Sequence, residues 1–211
     1  MAETRWEQAR AQERAEGRGG YGEHFAKLLA DGADVEGEAR LADALVGRGA
    51  AILDAGSGMG RVGGALVRRG HRVVGVDFDE ELLAQSRVTY PDLPVVASRL
   101  DELTPDLLSA EGHPTAYDLV VCVGNVMVLL APDTERTVLA RLGAVLGPQG
   151  RLLVGFSLRD APAAVSREYA EEDFVADGAA VGLELESRFA SYDLRPFTDG
   201  STYAVHVLRR G

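Results

Sequence analysis

The run Ile52-Leu53-Asp54-Ala55-Gly56-Ser57-Gly58-Met59-Gly60-Arg61, followed by Val73-Val74-Gly75-Val76-Asp77, constrains this chain more than any other part of it. An apolar strand ends in a carboxylate, turns through a glycine loop into a short helix, and returns as a second apolar strand ending in another carboxylate. Glycine lets the backbone turn sharply and approach a ligand with no Cβ in the way. A helix beginning near Arg61 offers unpaired N–H groups in its first turn. Asp77 follows the loop at the spacing of about 20 residues that brings a carboxylate to ribose hydroxyls in nucleotide-binding βαβ units. Such a unit is what these residues predict.

Two nucleoside ligands compete for it. Gly58-Met59-Gly60-Arg61-Val62-Gly63 satisfies G-x-G-x-x-G, the fingerprint of folds that hold the pyrophosphate of NAD or FAD. That fingerprint starts directly after its strand, whereas here Asp54-Ala55-Gly56-Ser57 intervene. Asp54 discriminates further, because a carboxylate beside a phosphate cradle repels the ligand at short range. S-adenosylmethionine carries an ammonium and a sulfonium and no phosphate, so it tolerates or favours that carboxylate. An NAD-type oxidoreductase remains the alternative at this point.

The D-x-G-x-G-x-G loop (Asp54, Gly56, Gly58, Gly60) and the acid of Val74-Gly75-Val76-Asp77 resemble the class I S-adenosylmethionine-dependent methyltransferases. Tyr117-Asp118-Leu119-Val120-Val121-Cys122-Val123-Gly124-Asn125 looks like the family's fourth strand and its ligand-facing end. Leu146-Gly147-Pro148-Gln149-Gly150-Arg151-Leu152-Leu153-Val154-Gly155-Phe156 looks like the turn into its fifth. The resemblance implies a Rossmann-like, doubly wound α/β fold. Its mostly parallel seven-stranded sheet would have the order 3-2-1-4-5-7-6, the last strand antiparallel and helices on both faces. It also implies methyl transfer by in-line displacement. A domain that binds the cofactor without transferring methyl shares the same site.

Strands alternating with helices independently imply a mostly parallel sheet with right-handed crossovers. Residues 1 to 18 read as an exposed, charged helix broken by Gly17-Arg18-Gly19-Gly20, and Tyr21 to Ala30 and Glu38 to Val46 as two more helices. Residues 1–48 then form an N-terminal helical lid segment and residues 49–211 the core, within one domain overall. Helices are expected over Arg61 to Arg69, after an Asp79 cap, after Thr104-Pro105, and from Asp133 or Thr134 to Gly147. Near the end a helix around Glu168 to Ala180 precedes a hairpin of Leu183 to Tyr192 and Thr202 to Arg209.

Charge narrows the acceptor. A formal net charge of −11 with Lys27 as the only lysine argues against nucleic acid, whose binding depends on neutralising phosphates. Arg68-Arg69-Gly70-His71-Arg72 and Arg209-Arg210 read as local surface patches. No apolar run approaches the roughly 18 residues needed to span a bilayer, so no membrane partner is expected. Cys122 is the only cysteine, which suits a cytoplasmic location. A small-molecule acceptor follows, in a monomer or homodimer, with no metal.

The resemblance assigns roles by position. Gly56, Gly58 and Gly60, with Ser57, pass under the methionine and ribose portions of the cofactor, and Asp54 faces its methionine end. Asp77 takes the ribose hydroxyls and Phe78 one adenine face. The Leu100 N–H binds a ring nitrogen, while the backbone at Gly124 and Asn125 accepts from the methionine ammonium. Arg61 either pairs with the methionine carboxylate or is an exposed helix arginine. Where the family carries an acid for the adenine amino group, this chain has Arg99, which has no acceptor to offer; either that contact is lost or Asp101 replaces it. Tyr21 and His24 are candidate general bases. Met127, Phe156 to Arg159, Tyr192, Asp193, Arg195 and Phe197 are candidates to shape the acceptor pocket.

Overall fold

The structure, a computed structural model, describes residues 2–17, 20–159 and 162–211, and the side chains of Tyr21, His24 and Leu29 lie outside that description. Helices α1 (Arg5–Ala15), α2 (Tyr21–Ala30) and α3 (Gly37–Ala44) lead into β1 (Ala51–Ala55). There follow α4 (Arg61–Arg68), β2 (Arg72–Asp77), α5 (Glu80–Thr89), β3 (Val95–Ala97), α6 (Pro105–Ala110) and β4 (Tyr117–Cys122). A 3-10 turn at Val126–Val128, α7 (Glu135–Ala144), β5 (Leu146–Ser157), α8 (Glu171–Ala180), β6 (Leu183–Phe189) and β7 (Tyr203–Arg210) complete it.

Among the described residues the strands form a seven-stranded sheet in the order β3-β2-β1-β4-β5-β7-β6, as expected. The pairs among β1 to β5 are parallel, and β7 runs antiparallel to both β5 and β6. Period-two alternation makes two cores. Leu53, Val120, Leu152 and Val154 face one side of the sheet, and Ile52, Leu119, Val121 and Leu153 the other, against α3 and α4. Strands covered on both faces read as continuous apolar runs, which is why β1, β2 and β4 are legible without a polar repeat.

Several boundaries move, each for a local reason. The first helix begins only at Arg5, where Thr4 and Glu7 close a reciprocal capping box, and it buries Ala9 instead of being exposed all round. The helix expected to run to Gly147 ends at Ala144, and Leu146 already pairs with Tyr117 in the sheet. The residues after Leu146 bulge out, and the register resumes at Arg151 opposite Leu119. β6 stops at Phe189 rather than Tyr192, because the Ala190 N–H turns to the Arg195 carbonyl and Leu194 takes a φ of 64°. The expected basic patch is neutralised: Arg68 and Arg69 both bond Glu36, at 2.6 and 2.7 Å.

Candidate active site

β1 lies between β2 and β4, so the chain leaves the sheet in opposite directions on either side of the gap between β1 and β4. Ligands of open α/β sheets bind beyond the carboxyl ends at such a switch point. A cavity of about 490 Å³ sits there. Gly56, Gly58, Asp77 and Phe78 line it from β1 and β2, Arg99, Leu100 and Asp101 from the end of β3, and Gly124 and Asn125 from β4.

Two glycines shape the loop. Gly56 has a φ of 80°, and a Cβ there would lie 2.5 Å from a Val126 methyl, so the loop after β1 touches the turn after β4 only because nothing projects from it. Gly60 caps α4 with a φ of 83°. The loop then hands its N–H groups to carboxylates. Asp77 Oδ2 accepts from the Gly58 N–H at 2.8 Å and Oδ1 from the Asp79 N–H at 2.9 Å. Each oxygen keeps lone pairs free for a diol, and the residue lines the cavity. Burial raises the Asp77 carboxyl above its ordinary value, against the pull of those two N–H groups.

Asp54 is nearly fully buried, and its Oδ2 accepts from the Gly63 N–H at 2.8 Å in the first turn of α4. Burial pushes its carboxyl up to about 7, although the Gly63 N–H and nearby Arg61 pull it down. Asp54, Ser57, Gly60 and Arg61 are not among the cavity-lining residues. Ser57 turns beneath the loop, its Oγ against Gly75 of β2. Arg61 is 6% exposed, so it is not a surface arginine. Its guanidinium forks to Glu38 at 2.6 and 2.9 Å, bonds the Val35 carbonyl and lies 4.6 Å from the Phe25 ring. Arg61 thus holds the carboxylate of Glu38 in α3.

At the other end, Arg99 forks onto Asp101 through Nε and Nη2, both at 3.0 Å, and its Nη1 donates to the Ala2 carbonyl at 3.2 Å. That pairing holds the Asp101 carboxyl below its ordinary range. Asn125 has a φ of 74° and its Oδ1 accepts from the Ser157 N–H at 2.8 Å, which fixes the turn after β4.

The expected acceptor-pocket residues disperse. Met127 and Phe156 are fully buried in the core. Tyr192 bonds Tyr203 hydroxyl to hydroxyl at 2.9 Å, Asp193 pairs with Arg195 at 3.1 Å, and Arg188 covers Phe197. α2 carries Tyr21 and His24, whose side chains lie outside the described residues. Sequence reasoning missed Thr4, Trp6 and Ala9 of the N-terminal wall and Leu129, Leu130 and Ala131 after β4, all of which line the cavity. Thr4-Arg5-Trp6-Glu7 is a T-x-x-E capping signature, and it was the available signal that an ordered helix starts there.

A family model described as a methyltransferase domain matches residues 52–150. A TehB-like S-adenosylmethionine-dependent methyltransferase from Corynebacterium glutamicum is 38% identical, with 90% of this chain and 96% of that one covered and a TM-score of 0.80. The chain belongs to the class I S-adenosylmethionine-dependent methyltransferases. The 1,6-didemethyltoxoflavin-N1-methyltransferase of Burkholderia thailandensis, solved with its substrate and S-adenosylhomocysteine, is 26% identical over 89% of this methyltransferase and 86% of that chain, with a TM-score of 0.60. The CcbJ methyltransferase of Streptomyces caelestis shares the fold at a TM-score of 0.72 and 20% identity, covering 83% of this chain and 89% of its own. None of the curated proteins compared matches the chain. The cofactor of this enzyme is S-adenosylmethionine, which removes the dinucleotide alternative left by G-x-G-x-x-G. Its cavity suits that cofactor: the Asp77 carboxylate, with lone pairs left for a diol, lines it beside Gly56 and Gly58, which present no Cβ.

Proposed function

We propose that this methyltransferase acts on a small-molecule acceptor inside the cavity. The observation that carries the reading is the size of a partly open cavity bordered by two chain segments besides the sheet. The cavity is walled by Thr4, Trp6 and Ala9 on one side and by Pro162 and Ala163 on another, and its volume of about 490 Å³ lies in the range of small-ligand sites. The net charge of −11 also disfavours a nucleic-acid acceptor. A neighbour solved with 1,6-didemethyltoxoflavin bound points the same way.

Within this reading Asp77 receives the ribose diol, Gly56 and Gly58 underlie the cofactor, Phe78 and Leu100 border adenine, and Gly124 and Asn125 meet the methionine ammonium. Asp54 acts from beneath the loop by holding the Gly63 N–H of α4, and Arg61 acts through α3 by holding Glu38. Residues 1–48 serve as the lid segment. When bound, the cofactor supplies a methyl group on a sulfonium, already a good leaving group, so acceleration comes largely from alignment. An acceptor that must lose a proton, such as a phenol or an amine, draws on Tyr21 or His24 as base. The pH profile of His24→Ala, compared with wild type on the same acceptor, reads that role. The lone buried Cys122 supports a cytoplasmic setting.

The test is incubation with methyl-labelled S-adenosylmethionine and a fractionated extract. Label in the low-mass fraction, dependent on Asp77, is expected. Label confined to protein or nucleic acid would sink the small-molecule reading.

A further inference from the structure

Three consecutive carbonyls after β4 hold two segments far apart in sequence. The Val128 carbonyl accepts from the Arg167 N–H at 2.9 Å and the Leu129 carbonyl from the Trp6 N–H at 3.0 Å. The Leu130 carbonyl accepts from the Arg5 N–H at 3.3 Å and from Arg5 Nη1 at 3.0 Å. Both segments border the cavity, one through Thr4 and Trp6 and the other through Pro162 and Ala163, with Leu129 and Leu130 between them.

One side chain joins the two. Glu135 opens α7, is 3% exposed and does not itself line the cavity. Its Oε1 lies 2.8 Å from Arg167 Nη1 and 3.3 Å from Arg5 Nη1. Arg167 is held from behind as well, 3.9 Å over the Tyr169 ring, whose hydroxyl donates to Asp177 of α8 at 2.7 Å. A carboxylate taken this far from water is costly unless fully paired, so each guanidinium is drawn to it strongly. The backbone bonds alone fix where Arg5, Trp6 and Arg167 sit along the strip. The shared carboxylate adds a common anchor for both.

We propose that Glu135 is a positioning residue that sets two walls of the cofactor cavity at once, through Arg5 and Arg167. This rests on the reading that the cavity holds S-adenosylmethionine. With Glu135 replaced by a neutral isostere, both walls lose their anchor, and the bound cofactor product escapes faster while the floor of the site stays intact.

Glu135→Gln tests this in two arms. The first is amide exchange of the ligand-free protein: the amides of Arg5, Trp6 and Arg167 are expected to exchange faster together, while those of β1 and β4 keep wild-type protection. Arg5→Gln should release only the N-terminal segment and Arg167→Gln only the other. The second arm is stopped-flow dissociation of S-adenosylhomocysteine, expected to be about tenfold faster in Glu135→Gln and intermediate in Glu135→Asp. A uniform loss of protection across the sheet would mean that Glu135 supports general stability only, and would overturn the proposal. So would unchanged exchange at both segments, or dissociation within about twofold of wild type. If wild type failed to bind S-adenosylhomocysteine, the assignment of the cavity would fail, and the exchange arm would still decide whether Glu135 sets both walls. Should Glu135→Gln not fold, the Arg5→Gln and Arg167→Gln pair carries the exchange arm.

Discussion

The floor of the cavity is made of sheet ends. Gly56 and Ser57 both donate to the Val76 carbonyl, Gly58 to Asp77, and Asp54 caps α4 from within the core. The wall across from it is made of long side chains. α1 is tied down by Arg10 and Arg14 on Glu81, by the Trp6 Nε1–Asp79 bond at 2.8 Å, and by Arg5 on Glu135. A floor of short backbone bonds in a fixed sheet has little freedom to lose, whereas a wall of long side chains costs side-chain entropy to assemble, and its outer pairs on Glu81 are screened by salt. The floor is therefore the stiffer side of the cavity and the α1 wall the more adjustable one.

The largest effect on binding is expected from breaking the floor. Gly56→Val places a branched side chain at a φ of 80° against Val126 and should cost about 3 kcal/mol in urea denaturation, with S-adenosylhomocysteine binding lost. Asp77→Ala keeps the fold but removes a charged acceptor of hydrogen bonds; calorimetry should show affinity for S-adenosylhomocysteine falling about 100-fold. Wild-type affinity in that variant would remove Asp77 from the ribose site.

Disturbing the wall is expected to matter less. Trp6→Ala loses the indole bond to Asp79 and a piece of cavity lining, and should weaken S-adenosylhomocysteine about tenfold with little change in melting temperature. If it weakened binding as much as Asp77→Ala, the distinction between floor and wall would collapse.

Asp54 sharpens the comparison through pH. Its carboxyl rises from 3.8 unfolded to about 7 folded, so the folded state favours the neutral form. Stability relative to Asp54→Asn is full below pH 3.8 and is lost as pH rises to about 7. Ligand-free Asp54→Asn should therefore outlast wild type at pH 8 by about 4 kcal/mol in thermal melts, and the two should converge in acid. The smallest effect is that of salt: raising ionic strength should speed S-adenosylhomocysteine release about twofold in wild type and less in Glu81→Gln, which lacks the exposed pairs with Arg10 and Arg14, as read by stopped flow.

The central strands, the glycine loop and Asp77 were legible because each rests on local rules: apolar runs covered on both faces, positive φ at glycine, and a carboxylate at a strand end. Asn125 and Gly124 were legible for the same reason, as a turn after a buried strand. Arg61 was not. Its type and position fit a ligand carboxylate equally well, and Glu38 reaches it only because α3 packs beside α4. The acceptor-pocket candidates were ambiguous in the same way, since an aromatic after a strand looks alike in sequence whether it faces core, as Phe156 does, or solvent. Arg99 and Asp101 lie two residues apart, yet their fork and the link to Ala2 depend on where the N-terminal segment lies.

By itself the sequence determined the βαβ unit, the order of its strands by resemblance, and a cofactor without phosphates, because hydrophobic period, glycine φ and charge act over a few residues. Only the tertiary structure decided which charges meet. Arg5, Arg167 and Glu135 are brought together by the packing of α1 and α7 around the strip after β4, and no short-range rule relates residues so far apart in the chain.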